Sequence, residues 1–262
     1  MGGRPIAEST GARDATITAR EDLTPSFAFF RVRTDDAAPA FVPGQYVTLG
    51  IATGTALIQR AYSIASSARR IADGYELYVR LVPDGALTPL LFACRPGQRV
   101  SFRGPKGRFV LRPDDDRVHL FIATGCGIAP FMSMLRTLHD DGSPRRVVLL
   151  HGVRYASELA YRGFLEEFAR DVRWQLTYVP TISRPQDPAN AGWSGWTTRV
   201  EGAVDEVCDR LRLTPSGTVA YLCGNPEMIA AVEGILRGRG LTAGQIHHER
   251  YWPPRTVGPR DR

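Results

Sequence analysis

The chain has 262 residues, 43% of them hydrophobic, with a formal net charge of +6 and a pI near 9.4. This length predicts one large domain or two ordinary ones, and the composition is typical of a globular protein. The sequence contains no apolar run long enough to cross a bilayer and no hydrophobic N-terminal stretch, so we expect neither membrane insertion nor a signal peptide.

Four cysteines, at positions 94, 126, 208 and 223, form no C-x-x-C pair. Their spacing argues against a disulfide framework, a zinc site or a cysteine-ligated iron–sulfur cluster, and it favours a reducing, cytoplasmic setting. The basic residues are dispersed along the chain, so nucleic acid is a poor candidate partner. An acidic protein or a phosphorylated small molecule explains the positive charge at least as well.

The first half of the chain is predicted to consist mainly of β-strands. Turns containing glycine or proline separate its extended segments, and Asp73–Gly74 is expected to form a hairpin turn between two of them. One short helix is expected in "LTPLLFACR". Short strands at this spacing predict an antiparallel barrel or sandwich. The extended segments are "ATITARED", "FAFFRVRT", "FVPGQYVTLGI", "RAYSIASS", "YELYVRLV" and "PGQRVSFRGPKGRFVL".

Strands and helices alternate after the polar junction "RPDDDRV", which predicts an α/β domain with a parallel sheet. The predicted strands are "HLFIAT", "RRVVLLHGV", "RWQLTYVPTIS", "GTVAYLCG" and "QIHHERYW". The predicted helices are "APFMSMLRTLHDDG", "SELAYRGFLEEFARD" with Ser157 as N-cap, "VEGAVDEVCDRLR" and "PEMIAAVEGILRGRG". We therefore predict a β-domain over residues 1–112, an α/β domain over residues 113–252 and a tail over residues 253–262.

The stretch "RAYS" places a cation, an aromatic ring and a hydroxyl within four residues. In an extended segment Arg60 and Tyr62 share one face, whereas Ser63 points to the other. A guanidinium suits a phosphate, and a tyrosine ring suits a flat partner. Taken alone, however, the motif fits an ordinary strand with one exposed arginine, so the rest of the chain must decide.

Two predicted strand ends carry glycines immediately before a helix. "ATGCGIAP" contains Gly125 and Gly127, and "LCGNPEM" contains Gly224. Glycines at such a turn let a diphosphate approach the backbone, and the helix N-terminus adds N–H donors and positive potential. The first motif lacks the third glycine of a full G-x-G-x-x-G, so the signal is moderate. The carboxyl ends of parallel strands share one edge of the sheet, where ligands bind.

Arginines also follow predicted strands in the α/β half. Arg154 follows one strand and Ser183–Arg184 another, with Arg199 nearby in sequence. Together they could bind a phosphate monoester such as the ribose 2′-phosphate that distinguishes NADP from NAD. We expect no acidic residue at the matching strand ends, which favours NADP. His247 and His248 face opposite sides of a strand, so no metal site is expected.

Nine motifs, in this order, resemble the ferredoxin/flavodoxin–NADP⁺ reductase family in its compact bacterial form. They are "PGQYV", "RAYS", "YVRLVPDGALTPLL", "GPKGRFVL", "ATGCGIAPFMSML", "HGVRYASEL", "TISR", "LCGNPEM" and "ERYW". The resemblance implies a β-barrel that binds FAD followed by an α/β domain that binds NADP(H). It also implies a monomeric enzyme that exchanges hydride between nicotinamide C4 and flavin N5 and passes electrons to a small acidic ferredoxin or flavodoxin.

The resemblance assigns roles to residues of the β-domain. Arg60 would bind the FAD diphosphate, Tyr62 would lie on one face of the flavin, and Ser63 would hydrogen-bond near its N5. The other residues implied to contact FAD are Ala61, Tyr78, Val79 and Arg80 around the flavin, and Ala86, Leu87 and Thr88 over the diphosphate.

In the α/β domain the resemblance implies contacts to NADP(H) and several catalytic roles. The implied nucleotide contacts are Thr124, Gly125, Gly127, Arg154, Ser183, Arg184, Arg199, Cys223, Gly224, Asn225 and Pro226. Tyr251 would cover the second flavin face as a gate that NADPH displaces, Trp252 would stack on the FAD adenine, and Glu249 would carry protons. The catalytic set is thus Ser63, Cys223, Glu249 and Tyr251.

Three features depart from the family pattern, and two other functions stay open. Cys126 replaces a threonine, ten residues follow Trp252, and "AGWSGWTTRV" carries two tryptophans beside Arg199. The first alternative is the FAD-only reductase component of an oxygenase system. The second is a nucleic-acid-binding barrel without enzymatic activity, which would leave the α/β half without a role.

Overall fold

The computed structural model describes residues 11–54 and 56–251, and they form two compact units. The first unit runs to residue 113 and also includes residues 129–143, while the second contains residues 114–128 and those from 144 onward. The helix that follows the G-x-G loop therefore packs with the first unit, although the loop itself belongs to the second. The functional domain ranges stay a prediction, and the predicted tail lies outside the described residues.

The first unit contains a six-stranded antiparallel sheet in the order β4-β3-β6-β1-β2-β5. Its elements are β1 (Arg13–Thr24), β2 (Phe27–Thr34), β3 (Tyr46–Thr53), β4 (Ala56–Ser63), β5 (Tyr75–Arg80), α1 (Thr88–Ala93) and β6 (Arg99–Lys106). The two edges of the sheet meet just after β4, where Ile64 forms an antiparallel bridge with Leu77 and the Ala65 N–H donates to the Glu76 carbonyl at 2.8 Å. The predicted antiparallel barrel is confirmed.

The turn expected at Asp73–Gly74 is present, and the segments on either side of it pair antiparallel through Ile64 with Leu77 and Ala65 with Glu76. It is not a tight two-residue hairpin, because a short 3₁₀ turn at Ile71–Asp73 precedes Gly74. β4 itself pairs with β3 and β5 pairs with β2, so this turn connects the two edge strands that close the barrel.

The barrel core is filled by inward-facing side chains of alternating strand positions. Phe30, Tyr75 and Phe102 are fully buried, and the rings of Tyr75 and Phe102 lie 4.9 Å apart. The Tyr75 hydroxyl donates to the Pro39 carbonyl at 2.6 Å, and burial raises the pKa of Tyr75 to about 12. Large side chains that exclude water from this interior supply most of the stability of such a barrel.

Helix α2 (Ala129–Asp140) packs on the first unit through both apolar and polar contacts. The Ser133 hydroxyl donates to the Ser66 carbonyl at 2.8 Å, and the Ala68 N–H donates to the Thr137 hydroxyl at 3.0 Å. Arg136 donates to a Glu76 carboxylate oxygen at 2.6 Å. These bonds satisfy polar groups that packing of the helix takes out of water.

The second unit contains a five-stranded parallel sheet in the order β11-β10-β7-β8-β9. Its elements are β7 (Val118–Thr124), β8 (Val147–Val153), α3 (Arg162–Arg170), β9 (Leu176–Ile182), α4 (Val200–Arg210), β10 (Thr218–Gly224), α5 (Pro226–Gly238) and β11 (Ile246–Arg250). The predicted two-domain fold class is confirmed. No helix in the part of the chain that the structure describes combines the length and apolar character needed to span a bilayer.

The predicted N-cap at Ser157 is wrong. Ser157 lies within a 3₁₀ turn at Ala156–Glu158, and α3 begins only at Arg162. Tyr161, which precedes α3, has a positive φ of 62°, so the backbone changes direction there before the helix starts. The sequence pattern around Ser157 resembles a helix start, and it gives no sign that the backbone turns at Tyr161 before α3 begins.

We expect Glu76→Gln to destabilise the first unit. The Glu76 side chain is 13% exposed and pairs with both Arg136 and Arg31, so its loss leaves two guanidinium groups without their carboxylate. Urea unfolding followed by circular dichroism should show a free energy of unfolding lower by about 2 kcal/mol. Glu206→Gln, which removes the carboxylate of a half-exposed pair with Arg210, is the control and should cost at most about 0.5 kcal/mol. Equal losses in the two variants would contradict this assignment.

Candidate cofactor sites

The "RAYS" motif lies at the end of β4 in the first unit. In the pairing with β3, Arg60 lies opposite Leu49 and Tyr62 opposite Val47. Arg60 and Ala61 are exposed, Tyr62 is half-buried and Ser63 is buried, so burial increases toward the end of the strand instead of alternating. The Arg60 guanidinium donates to the adjacent Gln59 carbonyl at 2.7 Å and pairs with no carboxylate among the described residues. It therefore keeps N–H donors that can bind a phosphate.

The residues predicted on β5 are mostly committed to packing. The Tyr78 ring is buried and stacks against Phe27 and Phe29, at centroid distances of 5.5 Å and 5.0 Å. Val79 lies in the barrel core, whereas Arg80 is exposed with its guanidinium 6.0 Å from the Phe27 ring. Of these three side chains, Arg80 is the one on the surface that could reach a ligand.

The segment predicted to cover the diphosphate is fixed by a side-chain hydrogen bond. The Thr88 hydroxyl accepts from the Val82 N–H at 2.9 Å and donates to the Val82 carbonyl at 3.1 Å. Leu87 is buried while Ala86 is exposed. The loop is thus anchored at both ends and presents Ala86 to its surroundings.

The two glycine-bearing strand ends of the second unit touch each other. A Cβ atom at Gly127 would lie 2.1 Å from the Cys223 carbonyl oxygen, and one at Gly224 would lie 2.4 Å from the Thr124 hydroxyl. Gly224 also has φ +131°, and the Asn225 N–H donates to the Thr124 hydroxyl at 3.0 Å. Only glycine fits at these two positions, because the two loops pack directly on each other.

Asn225 and Pro226 form the start of α5. The Asn225 side chain accepts from the Glu227 N–H at 2.8 Å, and Pro226 occupies the first turn of the helix. The cap uses one free N–H group of the helix and fixes the direction in which the helix leaves the sheet.

His151, which the sequence analysis missed, forms a hydrogen bond with the backbone of the G-x-G loop. Its ring is fully buried at the end of β8, and Nε2 lies 3.1 Å from the Gly125 carbonyl oxygen. Because that oxygen only accepts, Nε2 carries the proton and donates. Burial lowers the pKa of His151 to about 4, so the ring is neutral near pH 7. A histidine inside an apolar strand sequence gave no signal of this contact.

Three of the four predicted catalytic residues lie together in the second unit. The Tyr251 hydroxyl donates to the Cys126 carbonyl at 2.6 Å. Cys223 pairs with Glu249 in the register of β10 and β11. Burial, reinforced by the Glu249 carboxylate, raises the pKa of the Cys223 thiol well above its ordinary value. Cys223 is therefore a neutral thiol rather than a thiolate. Ser63 belongs to the first unit, and Trp252 lies outside the described residues.

The arginine-bearing loops start from neighbouring strands. Val153 at the end of β8 is level with Ile182 at the end of β9, and the Ser183 N–H donates to the Val153 carbonyl at 2.9 Å. Arg154 and Arg184 are exposed, and neither pairs with a carboxylate within residues 11–54 and 56–251. Arg199 precedes α4 and donates to Glu201 at 2.6 Å. Arg154 and Arg184 are thus the better placed for an added phosphate.

Acidic residues occur farther along these loops, five residues beyond the strand ends. The Glu158 carboxylate accepts from the Arg154 N–H at 3.0 Å. The Asp187 carboxylate accepts from the Ala189 N–H at 3.0 Å and from the Tyr155 hydroxyl at 3.3 Å. The positions directly after β8 and β9 are Arg154 and Ser183, neither of them acidic, so the expectation for the strand ends themselves stays a prediction. Both carboxylates are engaged in hydrogen bonds of the loops.

Comparison with known proteins accounts for both units. Residues 14–111 match the family model of the oxidoreductase FAD-binding domain, and residues 121–234 match that of the oxidoreductase NAD-binding domain. Ferredoxin–NADP reductase B of Sorangium cellulosum is 34% identical over 84% of this chain and 88% of that protein. The chain belongs to the ferredoxin–NADP⁺ reductase family.

Other members of the family show how its functions vary. A ferredoxin–NADP⁺ reductase from Neisseria gonorrhoeae, solved with bound FAD and NADP, superposes with a TM-score of 0.81 at 25% identity, over 93% of this chain and all of that one. The phenol hydroxylase P5 protein of Acinetobacter pittii is 32% identical over 90% of this chain, but the match spans only 65% of that protein. The chain is thus an FAD- and NAD(P)-binding electron-transfer oxidoreductase whose relatives serve different acceptors.

We expect the stability of the protein to depend on pH through His151. Its pKa is lower in the folded chain, about 4, than the ordinary value of about 6.5, so the unfolded chain takes up the proton first as the pH falls. The stabilisation is complete above pH ~6.5 and is lost between that pH and ~4, by up to about 3 kcal/mol.

The measurement is urea unfolding at several pH values for the wild type and for His151→Gln, which retains an N–H donor but has no proton to gain. The difference between the two proteins should change with pH only in this window. A difference that is independent of pH would contradict the assignment of a buried, neutral ring.

Proposed function

We propose that this chain is an NADP(H)-dependent FAD reductase that exchanges electrons with a small acidic ferredoxin or flavodoxin. The observation that carries the choice of NADP(H) is the placement of Arg154 and Arg184. They follow paired parallel strands, and neither guanidinium pairs with a carboxylate in the described part of the chain. Two such cations at neighbouring strand ends suit the dianionic 2′-phosphate that NAD lacks.

The residues of the first unit fit FAD in this proposal. Arg60 binds the diphosphate, since its exposed guanidinium has no competing carboxylate. Tyr62 lies on the same strand face and contacts the flavin ring, while Ser63 hydrogen-bonds its edge. Bound FAD supplies the conversion between two-electron exchange with a nicotinamide and one-electron exchange with a carrier.

The residues of the second unit position the nucleotide and exclude water. Gly125 and Gly127 admit the diphosphate to the backbone. The fully buried thiol of Cys223 stays protonated, so it adds no charge beneath these loops. The half-buried carboxylate of Glu249, level with Cys223 on the adjoining strand, is the group proposed to hold and release a proton. Tyr251, anchored through the Cys126 carbonyl, is the proposed gate.

Replacing the phosphate-binding arginines should separate NADPH from NADH. Arg154→Ala and Arg184→Ala each remove one charge-assisted contact, so KM for NADPH should rise about 10- to 100-fold with little change in kcat. The same variants should leave kcat/KM for NADH nearly unchanged. We expect a smaller effect from Arg199→Ala, because Glu201 already holds that guanidinium.

Steady-state kinetics with ferricyanide as electron acceptor gives these values without any protein partner. Arg173→Ala is the control, since Arg173 is an exposed arginine of the same unit paired with Asp171. Equal losses with NADPH and NADH in the Arg154 and Arg184 variants would disprove a role in recognising the 2′-phosphate.

A second acceptor is supported by one specific comparison. The identity of 32% to a phenol hydroxylase component, over 90% of the chain, favours the reductase component of an oxygenase system. The net charge of +6 supports an acidic carrier in either case, because complementary charge speeds association. We place ferredoxin or flavodoxin first because the match to ferredoxin–NADP reductase B spans 88% of that relative.

A monomer acting in the cytoplasm is part of the same proposal.

The two acceptors predict different electron-transfer rates. With FAD-loaded protein and NADPH, we expect reduction of a ferredoxin or a flavodoxin to be at least tenfold faster than reduction of the oxygenase component of a phenol hydroxylase. Stopped-flow absorbance of each purified acceptor measures this, and the rate should fall with added salt because the attraction is screened. Faster reduction of the hydroxylase component would favour the oxygenase function instead.

A further inference from the structure

Asn190 occupies an unusual position for a loop residue of the second unit. It ends a short 3₁₀ turn at Pro188–Asn190, and only 4% of its surface is exposed. The turn is itself fixed, because Asp187 caps its first N–H groups and the Trp193 N–H donates to the Asn190 carbonyl at 3.1 Å. A buried amide on so short a turn has little freedom to choose other partners.

The Asn190 side chain connects the two arginine-bearing loops. Its Nδ2 group donates to the Arg154 carbonyl at 3.0 Å and to the Arg184 carbonyl at 2.8 Å. Its Oδ1 atom accepts from the Ala156 N–H at 2.8 Å. Both amide hydrogens are therefore used, one on each arginine, and the oxygen holds the loop that contains Arg154.

We infer that Asn190 is a positioning residue that sets the spacing of Arg154 and Arg184 for the 2′-phosphate of NADP(H). This inference rests on the proposed function of those two arginines. The paired strands fix the level at which the loops begin, and the Asn190 amide fixes the two backbones beyond the strand ends. Two long, exposed side chains bind one phosphate well only if their attachment points are already in place, because less order has to be imposed on binding.

The side-chain amide of Asn190 forms hydrogen bonds that aspartate and alanine cannot form. Aspartate has the same shape but no hydrogen to donate, and it would place a negative charge against two carbonyl oxygens. Alanine removes all three bonds without adding charge. Both changes leave the Arg154 and Arg184 side chains intact, so a loss of selectivity would reflect their placement rather than their charge.

The sheet also offers a matched control at its opposite edge. The Gln245 side chain has the same bonding pattern: its Nε2 group donates to the Pro215 and Thr218 carbonyls, and its Oε1 atom accepts from the Thr242 N–H at 3.0 Å. Gln245 precedes β11 and contacts the first residue of β10, so it lies at the amino ends of the strands. Gln245→Glu repeats the loss of two donated bonds far from the arginine loops.

The experiment uses the FAD-loaded full chain of the wild type, Asn190→Asp and Gln245→Glu. Calorimetric titration gives the dissociation constants of adenosine 2′,5′-bisphosphate and of adenosine 5′-monophosphate, and kinetics with ferricyanide gives kcat and KM for NADPH and NADH. We expect the wild type to prefer the 2′-phosphate at least tenfold. Asn190→Asp should reduce this preference about tenfold by raising KM for NADPH, with kcat and the values for NADH nearly unchanged. Gln245→Glu should lower the melting temperature but keep the preference.

The possible failures can be told apart. If the wild type binds both adenosine ligands equally well, both the proposed NADP(H) preference and this inference fail. If the wild type shows the preference and Asn190→Asp retains it, the inference alone fails. A loss of NADH activity in Asn190→Asp equal to that of NADPH activity would also overturn it, because general unfolding of the loops would then explain the result. Should the aspartate variant not fold, Asn190→Ala is measured in its place against the same outcomes.

Discussion

The structure of the second unit depends on glycine at the place where the turn after β7 contacts the end of β10. A Cβ atom at Gly127 would lie only 2.1 Å from the Cys223 carbonyl oxygen, so the turn after β7 can touch the end of β10 only as glycine. The neighbouring bonds are arranged around this contact: Asn225 donates to Thr124, and Tyr251 donates to Cys126. The same restriction keeps the two strand ends close to each other.

The arginines of the protein differ in whether a neighbouring carboxylate already neutralises their charge. Arg69 and Arg70 are bound to Asp141 and Asp140, so their charge holds α2 on the first unit. Arg60, Arg154 and Arg184 have no such partner among the described residues, and these are the arginines at predicted phosphate sites. These three guanidinium groups are therefore available to a ligand, whereas Arg199 is already paired with Glu201.

Sequence patterns predicted what is local or repeats along the chain. Alternating strands and helices predicted the α/β half, and glycine before a helix indicated the two loops that touch at the strand ends. The barrel and the turn between its two closing segments were predicted too, but not that these segments pair through Ile64 and Leu77. His151 and Asn190 were also missed, since each acts through a buried contact to a backbone carbonyl. No periodicity or spacing encodes such a contact, because its geometry exists only once the loops have folded.

The division of the chain at α2 limits how its two units could be exchanged with those of another protein. The polypeptide passes from one unit to the other near residues 113, 128 and 143, so the second unit is not a continuous segment. A hybrid joined at residue 113 would receive a foreign α2 on its native barrel, facing Arg69, Arg70 and Glu76 without the residues that match them. During evolution by recombination, α2 must therefore be inherited with the barrel or adapt to it afterwards.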